Sequence, residues 1–199
     1  FSPDNVQFSA FFEQIKTSDF AAVFQKTEPV MQLFEETKKV GEAFLKSKGI
    51  GPDDFFVCFA NRDPSYLDTA FPLMNWDYHN YRDSSILNYI DAMNIVVEKG
   101  GYVIRMGARV SEKLPEYLND SIIDYASGFR SEDLDIYLLA KCKFLIVGNT
   151  GISSLAAAFN VPHAFVNTIP FTNLEPFNTQ DLCAPKLIWS HNKNRILSF

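Results

Sequence analysis

The segment 135–158 constrains the fold of this chain most. Its residues 144–147 (FLIV) form a short and wholly apolar run, which is what a strand buried on both faces requires. The run leads directly into the turn 148–151 (GNTG), and the alanine-rich segment that begins at Leu155 has the composition of a helix. A buried strand, a tight turn and a helix in this order predict one unit of a parallel α/β sheet.

The turn itself has two interpretations. Backbone N–H groups, the side chains of Asn149 and Thr150 and the hydroxyls of Ser153 and Ser154 can together bind an anion at the start of the helix. Alternatively, one of the two serines only caps the helix while the glycines only turn the chain. The turn carries more polar groups than a cap needs, which favours the anion site.

Similar apolar runs recur along the chain. The predicted strands are 55–60, 102–107, 121–125, 144–147, 161–167 and 186–189, with helices at 84–99, 132–141 and from 155 onward. Alternation of strands and helices predicts an α/β fold with a doubly wound, mostly parallel, Rossmann-like sheet. Residues 4–48 are predicted to be helical, with a break near Pro29, which suits the first turn of the second helix. We expect residues 1–50 to form a helical segment packed on a main domain of residues 51–199. The alternative interpretation is that this segment is a hinge helix from a missing domain.

Composition excludes several classes of protein. The net charge of −6 and the pI near 5.0 argue against nucleic-acid binding, which favours a basic surface. The sequence has no apolar run as long as a membrane span, no GxGxxG or GxxxxGK[ST] turn, and no cluster of residues typical of a metal site.

Arginine is rare in this chain and its positions are informative. Arg62 and Arg105 each end an apolar run, and Arg82 opens a helix. Ligands of such sheets lie beyond the carboxyl ends of the strands, so Arg62, the segment 105–107 and the turn 148–154 are expected to converge there. Arg62 binds phosphate in one interpretation and pairs with Asp63 or Asp83 in the other.

Two features beside these arginines remain open to two interpretations each. The segment 63–83 has no regular period and is rich in aromatic residues, which either stack on a sugar or base or pack the loop down. Asp124 and Asp135 either accept ribose hydroxyls or are carboxylates at a strand end and a helix end.

Five short motifs, in order and spacing, resemble a family of bacterial glycosyltransferases associated with surface-polysaccharide genes. They are 56–63 (FVCFANRD), 81–83 (YRD), 102–107 (YVIRMG), 123–125 (IDY) and 148–151 (GNTG). A strand ending in arginine and a late strand–turn–helix also resemble, more distantly, the fucosyltransferase-like branch of the GT-B enzymes. The resemblance covers residues 55–199.

The resemblance implies that residues 51–199 are the C-terminal, nucleotide-sugar-binding half of a GT-B glycosyltransferase, with the acceptor-binding half missing. The activity it implies is metal-independent transfer, without a cofactor, from a nucleotide-diphosphate sugar to a glycan or lipid-linked acceptor, in the cytoplasm or at the inner face of the membrane. The resemblance leaves open whether the half present here is active without the acceptor-binding half. The residues then expected to bind substrate are Arg62, Asp63, Arg82, Arg105, Gly107, Asp124, Tyr125, Asn149, Thr150, Gly151, Ser153 and Ser154.

One position departs from the family pattern. Family members often have histidine two residues before the arginine that matches Arg62, and this chain has Ala60 there. The change implies altered specificity or weaker activity. Ala60 therefore suggests one alternative function, a non-catalytic module that binds a nucleotide or a sugar phosphate. A sugar-nucleotide epimerase, which shares the architecture, is the other alternative.

Overall fold

A parallel sheet of six strands forms the centre of the protein. The computed structural model describes residues 28–29, 31–128, 130–170 and 180–197. The sheet consists of β1 (Phe56–Ala60), β2 (Tyr102–Arg105), β3 (Ile122–Ile123), β4 (Leu145–Val147), β5 (His163–Thr168) and β6 (Leu182–Pro185). Its strand order is β3-β2-β1-β4-β5-β6, and every neighbouring pair is parallel. The predicted α/β, Rossmann-like fold class is confirmed.

Helices cover both faces of the sheet. They are α1 (Glu35–Ser47), α2 (Ser65–Ala70), α3 (Ile90–Glu98), α4 (Glu132–Lys141) and α5 (Ile152–Ala158), with 3₁₀ turns at Asp77–Arg82, Ile86–Tyr89 and Tyr125–Ser127. Alternate residues of β1 point to opposite faces, so Cys58 packs in a core with α4 and α5 while Phe59 packs in a second core with α3. This alternation explains why every residue of β1 is buried.

The order of the strands reverses next to β1. From β1 the chain continues outward to β2 and β3, whereas β4, β5 and β6 lie on its other side. The carboxyl ends of β1 and β4 therefore flank a topological switch point, where a crevice forms because the connections leave in opposite directions.

The predicted sixth strand is wrong. Residues 186–189 do not belong to the sheet; β6 is the preceding segment Leu182–Pro185, and Trp189–Ser190 forms a separate antiparallel hairpin (β7) with Arg195–Ile196 (β8). As the last strand in the order, β6 keeps Leu182 and Ala184 exposed, so its sequence lacks the apolar run of a buried strand.

Three helix predictions also need correction. Residues 31–34 are not helical and α1 begins at Glu35, not near Pro29. The segment 63–83 contains α2 and a 3₁₀ turn instead of being irregular throughout. Helix α5 has no side-chain cap, because Ser153 donates its hydroxyl to the Thr150 carbonyl (2.9 Å) and Ser154 is exposed.

Helix α1 packs closely on α4. At Gly41 an added Cβ would lie 2.0 Å from the ring of Tyr137, so only glycine permits this approach. Most of the predicted helical region 4–48, namely residues 4–27 and 30, lies outside the described residues. The division into a segment 1–50 and a domain 51–199 therefore stays a prediction.

Candidate functional site

A cleft of about 490 Å³ opens at the switch point. Its walls come from the carboxyl ends of β1 and β4, the exit from β2, the start of α2 and one face of α4 and α5. Clefts of this size hold small ligands in many proteins. The lining residues that the sequence singled out are Arg62, Asp63, Arg82, Gly107, Asn149, Thr150 and Gly151, together with Ala60 and Asp135.

Arg62 stands at the centre of the charged part of this cleft. Its Nε lies 3.1 Å from Asp83 Oδ1, so the structure contains the ion pair that one interpretation of the sequence predicted. The two atoms are not aligned for a hydrogen bond, and both are buried without a hydrogen-bond partner in the described part of the chain. Burial lowers the pKa of Arg62, the neighbouring charge of Arg82 lowers it further, and Asp83 opposes both.

Arg82 is the second cation of this cluster. Its Nη2 contacts His79 Nδ1, and its buried Nε has no hydrogen-bond partner within the described residues. Arg62 and Arg82 carry two positive charges against the one negative charge of Asp83, and each has an Nε without a hydrogen-bond partner in the described residues. Such a cluster is suited to an anion with several oxygens.

The segment 63–83 is closed at its base by several contacts. Ser84 N donates to the Arg62 carbonyl (3.2 Å), and Asn61 Nδ2 donates to the Ser84 carbonyl. The Lys186 ammonium donates to the carbonyls of Tyr81 (2.8 Å) and Asp83 (2.7 Å). The base of the segment, which contains Arg82 and directly follows Arg62, is therefore fixed from two sides.

Asp63 attaches the loop after β2 to the loop after β1. It accepts hydrogen bonds from Ser65 N (2.9 Å), Ser111 N (2.8 Å) and Ser111 Oγ (2.8 Å). Burial alone would raise its pKa, but these bonds outweigh burial and the pKa is lowered. Asp63 therefore positions the segment 107–111, including Arg109, a lining residue that the sequence analysis did not select.

We expect the hydrogen bonds of Asp63 to make stability depend on pH. Its pKa is lower in the folded state than its ordinary value of 3.8. The stability that these hydrogen bonds contribute is therefore fully present above the ordinary pKa. It is lost as the pH falls through the folded pKa, because the unfolded chain takes up the proton first. Urea unfolding between pH 3 and pH 7 should show a steeper acid loss in the wild type than in Asp63→Asn. Asp83 and Asp135, whose pKa values are raised by burial, act in the opposite direction in both proteins, and equal slopes would contradict the prediction.

The turn after β4 lies against the exit from β1. A Cβ on Gly148 would meet Arg62 N at 3.5 Å, and Asn149 Nδ2 donates to the Ile169 carbonyl (3.0 Å). Asn149, Thr150 and Gly151 line the cleft, whereas Ser153 and Ser154 do not.

Arg105 does not reach the cleft. It is fully buried, and its Nη1 donates to Asp124 Oδ1 at 2.9 Å. Asp124 also accepts from Leu114 N (3.0 Å) and Ser127 Oγ (2.6 Å). The pair holds the segment after β2 in place, and the predicted role of both residues in substrate binding stays a prediction.

Tyr125 is also buried and lies behind the cleft wall. Its hydroxyl donates to Asp135 Oδ1 (2.7 Å) and accepts from Ser131 N (3.1 Å). Burial and the bond to Asp135 raise the pKa of Tyr125. Arg130 Nη2 lies 2.8 Å from Asp135 Oδ2, so both oxygens of this cleft carboxylate are held.

Two solved structures resemble this fold. E. coli ADP-heptose LPS heptosyltransferase II aligns with a TM-score of 0.53 at 14% identity, over 79% of this chain and 45% of that protein. A glycosyl transferase family 9 protein from Veillonella parvula aligns with a TM-score of 0.51 at 14% identity, over 78% of this chain and 41% of that protein. This chain thus spans less than half the length of either, and neither is a fucosyltransferase.

The likeness extends to the fold and no further. No protein-family model and no curated protein sequence matches the chain. The sheet and its flanking helices share the Rossmann-like α/β fold of the parts of these two structures with which they align.

The described residues lack both a membrane-spanning helix and a cluster of metal ligands. None of the helices there has both the length and the apolar character to cross a membrane. The same residues contain no group of three or more His, Cys, Asp and Glu side chains arranged to hold a metal ion.

Proposed function

We propose that this chain is the donor-binding half of a glycosyltransferase that uses a nucleotide-diphosphate sugar. The observation that carries the proposal is the pair Arg62 and Arg82 in the switch-point cleft, each with a buried Nε that lacks a hydrogen-bond partner in the described residues. A diphosphate has the charge to balance the two guanidinium groups and the oxygen atoms to accept from their N–H groups. The fold likeness to an ADP-heptose heptosyltransferase supports the choice of a nucleotide sugar.

The proposed reaction breaks the bond between the anomeric carbon of the sugar and a diphosphate oxygen. The acceptor hydroxyl forms the new bond to the anomeric carbon and gives its proton to a base on the acceptor-binding half, while negative charge develops on the departing diphosphate. Preorganised donors aimed at that charge lower the barrier. Arg62 and Arg82 supply them as cations, and the turn 149–151, which also lines the cleft, adds backbone and side-chain groups.

The proposal includes the setting that the sequence resemblance implied. The acceptor is a glycan or a lipid-linked sugar, it binds on an N-terminal half outside this chain, and the product belongs to a surface polysaccharide. The protein acts in the cytoplasm, at the inner face of the membrane when the acceptor is lipid-linked.

One observation favours a second candidate, a binding module without turnover. Ala60 lines the cleft where the resembling family often carries histidine, and no histidine lines the described cleft. A methyl group can neither donate a hydrogen bond nor move a proton there. The transferase and the binding module would use the same arginines, so they differ only in whether the bound ligand reacts.

A ligand screen followed by a turnover assay tests the proposal. ADP, GDP, UDP and CDP are added to the chain at millimolar concentration, and one of them is expected to raise the melting temperature by about 5–10 °C if its concentration reaches about 100 times Kd. The matching nucleotide sugar is then incubated with and without a glycan acceptor. A glycoside supports the transferase, a new nucleotide sugar indicates an epimerase, and binding without either product indicates the module. The absence of a shift with every diphosphate contradicts the transferase, the epimerase and a module that binds a nucleotide.

A further inference from the structure

We propose that the Asp135 carboxylate binds two adjacent hydroxyl groups of the ligand, so that the cleft selects a vicinal diol. This inference rests on the proposed function and adds to it a residue that recognises the part of the ligand beyond the phosphates. Asp135 lies in the first turn of α4 and lines the same cleft as Arg62 and Arg82.

The carboxylate is oriented before any ligand arrives. The Tyr125 hydroxyl donates to Oδ1 at 2.7 Å and Arg130 Nη2 lies 2.8 Å from Oδ2. Tyr125 is fully buried, and the hydrogen bond from Ser131 N fixes its hydroxyl in turn. Ser131 is also the cap of α4, since its Oγ accepts from Leu134 N.

Asp135 retains acceptor capacity towards the cleft. A carboxylate offers about four lone-pair sites, and Tyr125 and Arg130 each use one. The Asp135 side chain remains 19% exposed. Two acceptor sites on one rigid group match two hydroxyls on neighbouring carbon atoms.

The charge balance favours neutral hydroxyls over a cation as the partner. Arg130 already neutralises Asp135, so a second cation would be repelled by it. A hydroxyl supplies the donor that an ionised carboxylate needs and adds no charge. Leu139, one turn further along α4, and the neighbouring Ile152 and Leu155 form an apolar wall in the cleft, against which the C–H face of a sugar ring can pack.

The other carboxylates near the cleft are occupied. Asp63 accepts three hydrogen bonds from Ser65 and Ser111, and Asp83 faces Arg62. With three of about four lone-pair sites in use, Asp63 has room for one further hydroxyl at most. Asp135 is therefore the lining carboxylate in the described part of the chain that can accept from two hydroxyls without losing a protein contact.

A nucleotide sugar offers such a diol in two places, the ribose and the transferred sugar. The test measures affinity by calorimetric titration of the wild type, Asp135→Asn and the control Asp133→Asn. Asp133 lies in the same helix turn, is exposed and does not line the cleft. The probes are the tightest binder among ADP, GDP, UDP and CDP, its 2′-deoxy and 3′-deoxy forms, the matching nucleotide sugar, and that nucleotide sugar lacking one sugar hydroxyl.

If Asp135 binds the ribose, each deoxy diphosphate should bind about 10- to 100-fold more weakly than the complete one, the range for a hydrogen bond to a charged group. Asp133→Asn should show the same difference in affinity, whereas Asp135→Asn should bind the complete and the deoxy diphosphates almost equally. If Asp135 binds the transferred sugar, the same pattern should appear with the deoxygenated sugar only. Asp135→Glu is the second variant, in which the displaced carboxylate should also discriminate poorly.

Discrimination that persists unchanged in Asp135→Asn or Asp135→Glu overturns the inference. Equal wild-type affinity for the complete ligands and for every deoxy analogue overturns it without any variant. In both cases diphosphate binding itself survives, so the proposed function stands. Failure of every diphosphate to bind the wild type overturns the proposed function and this inference together.

Discussion

Replacing Asp124 by alanine is expected to lower the free energy of unfolding by about 3–5 kcal/mol, the usual cost of leaving one partner of a buried ion pair alone. Arg105 is fully buried, and Asp124 Oδ1 is its ion-pair partner at 2.9 Å. The Nε and Nη2 atoms of Arg105 already lack hydrogen-bond partners in the described part of the chain. Without Asp124 the charge would have no compensation, and Leu114 N and Ser127 Oγ would each lose an acceptor. Urea unfolding of the two proteins measures the difference.

Two further variants separate charge from packing. Asp120→Ala, at an exposed position, should change stability by less than about 0.5 kcal/mol. The double variant Arg105→Met and Asp124→Leu should be more stable than Asp124→Ala, because no charge is then left buried. A loss below about 1 kcal/mol for Asp124→Ala would mean that solvent or a rearranged loop compensates Arg105.

The difference between Arg62 and Arg105 shows how far the sequence leads. Both follow apolar runs, so both were expected at the carboxyl edge of the sheet. Arg62 comes two residues after the end of β1 and reaches the cleft. Arg105 is still within β2, in register with Phe59, and alternation along parallel strands gives it the face of Phe59, which packs against α3. The sequence indicates an apolar run but not the residue at which the strand ends.

Predictions of strands succeeded where burial alone determines the pattern. The apolar runs of β1 and β4 are buried on both faces because helices cover both sides. The prediction failed at β6, where half of the side chains face solvent. Contacts between distant segments, such as Tyr125 with Asp135 or Asp63 with Ser111, depend on the fold and leave no local signal. Asp135 and Leu139 differ from these pairs. They lie four residues apart on one helix, so the sequence alone indicates that they share a helix face.

Replacing Arg62 by alanine is expected to weaken the binding of a nucleoside diphosphate by about 1.5–3 kcal/mol, the scale of a charge-assisted hydrogen bond. In the free protein Arg62 faces Asp83 at 3.1 Å, so the phosphate must share or replace that carboxylate. The same variant leaves Asp83 without its partner, and we therefore expect the free protein to be destabilised as well. Calorimetric titration with ADP, GDP, UDP and CDP, accompanied by melting curves without ligand, measures both effects.

Three other variants decide whether Arg62 binds the ligand or only pairs with Asp83. Arg195→Ala removes an exposed arginine of the β7–β8 hairpin and should change neither affinity nor melting temperature. Arg62→Lys keeps the charge without the planar fork and should recover part of the affinity. Asp83→Asn removes the competing carboxylate and should bind the diphosphate more tightly than the wild type, because Arg62 and Arg82 then repel each other until an anion arrives. If Arg62→Ala lowers the melting temperature while affinity is unchanged, and Asp83→Asn gains none, Arg62 has a structural role and the phosphates bind elsewhere in the cleft.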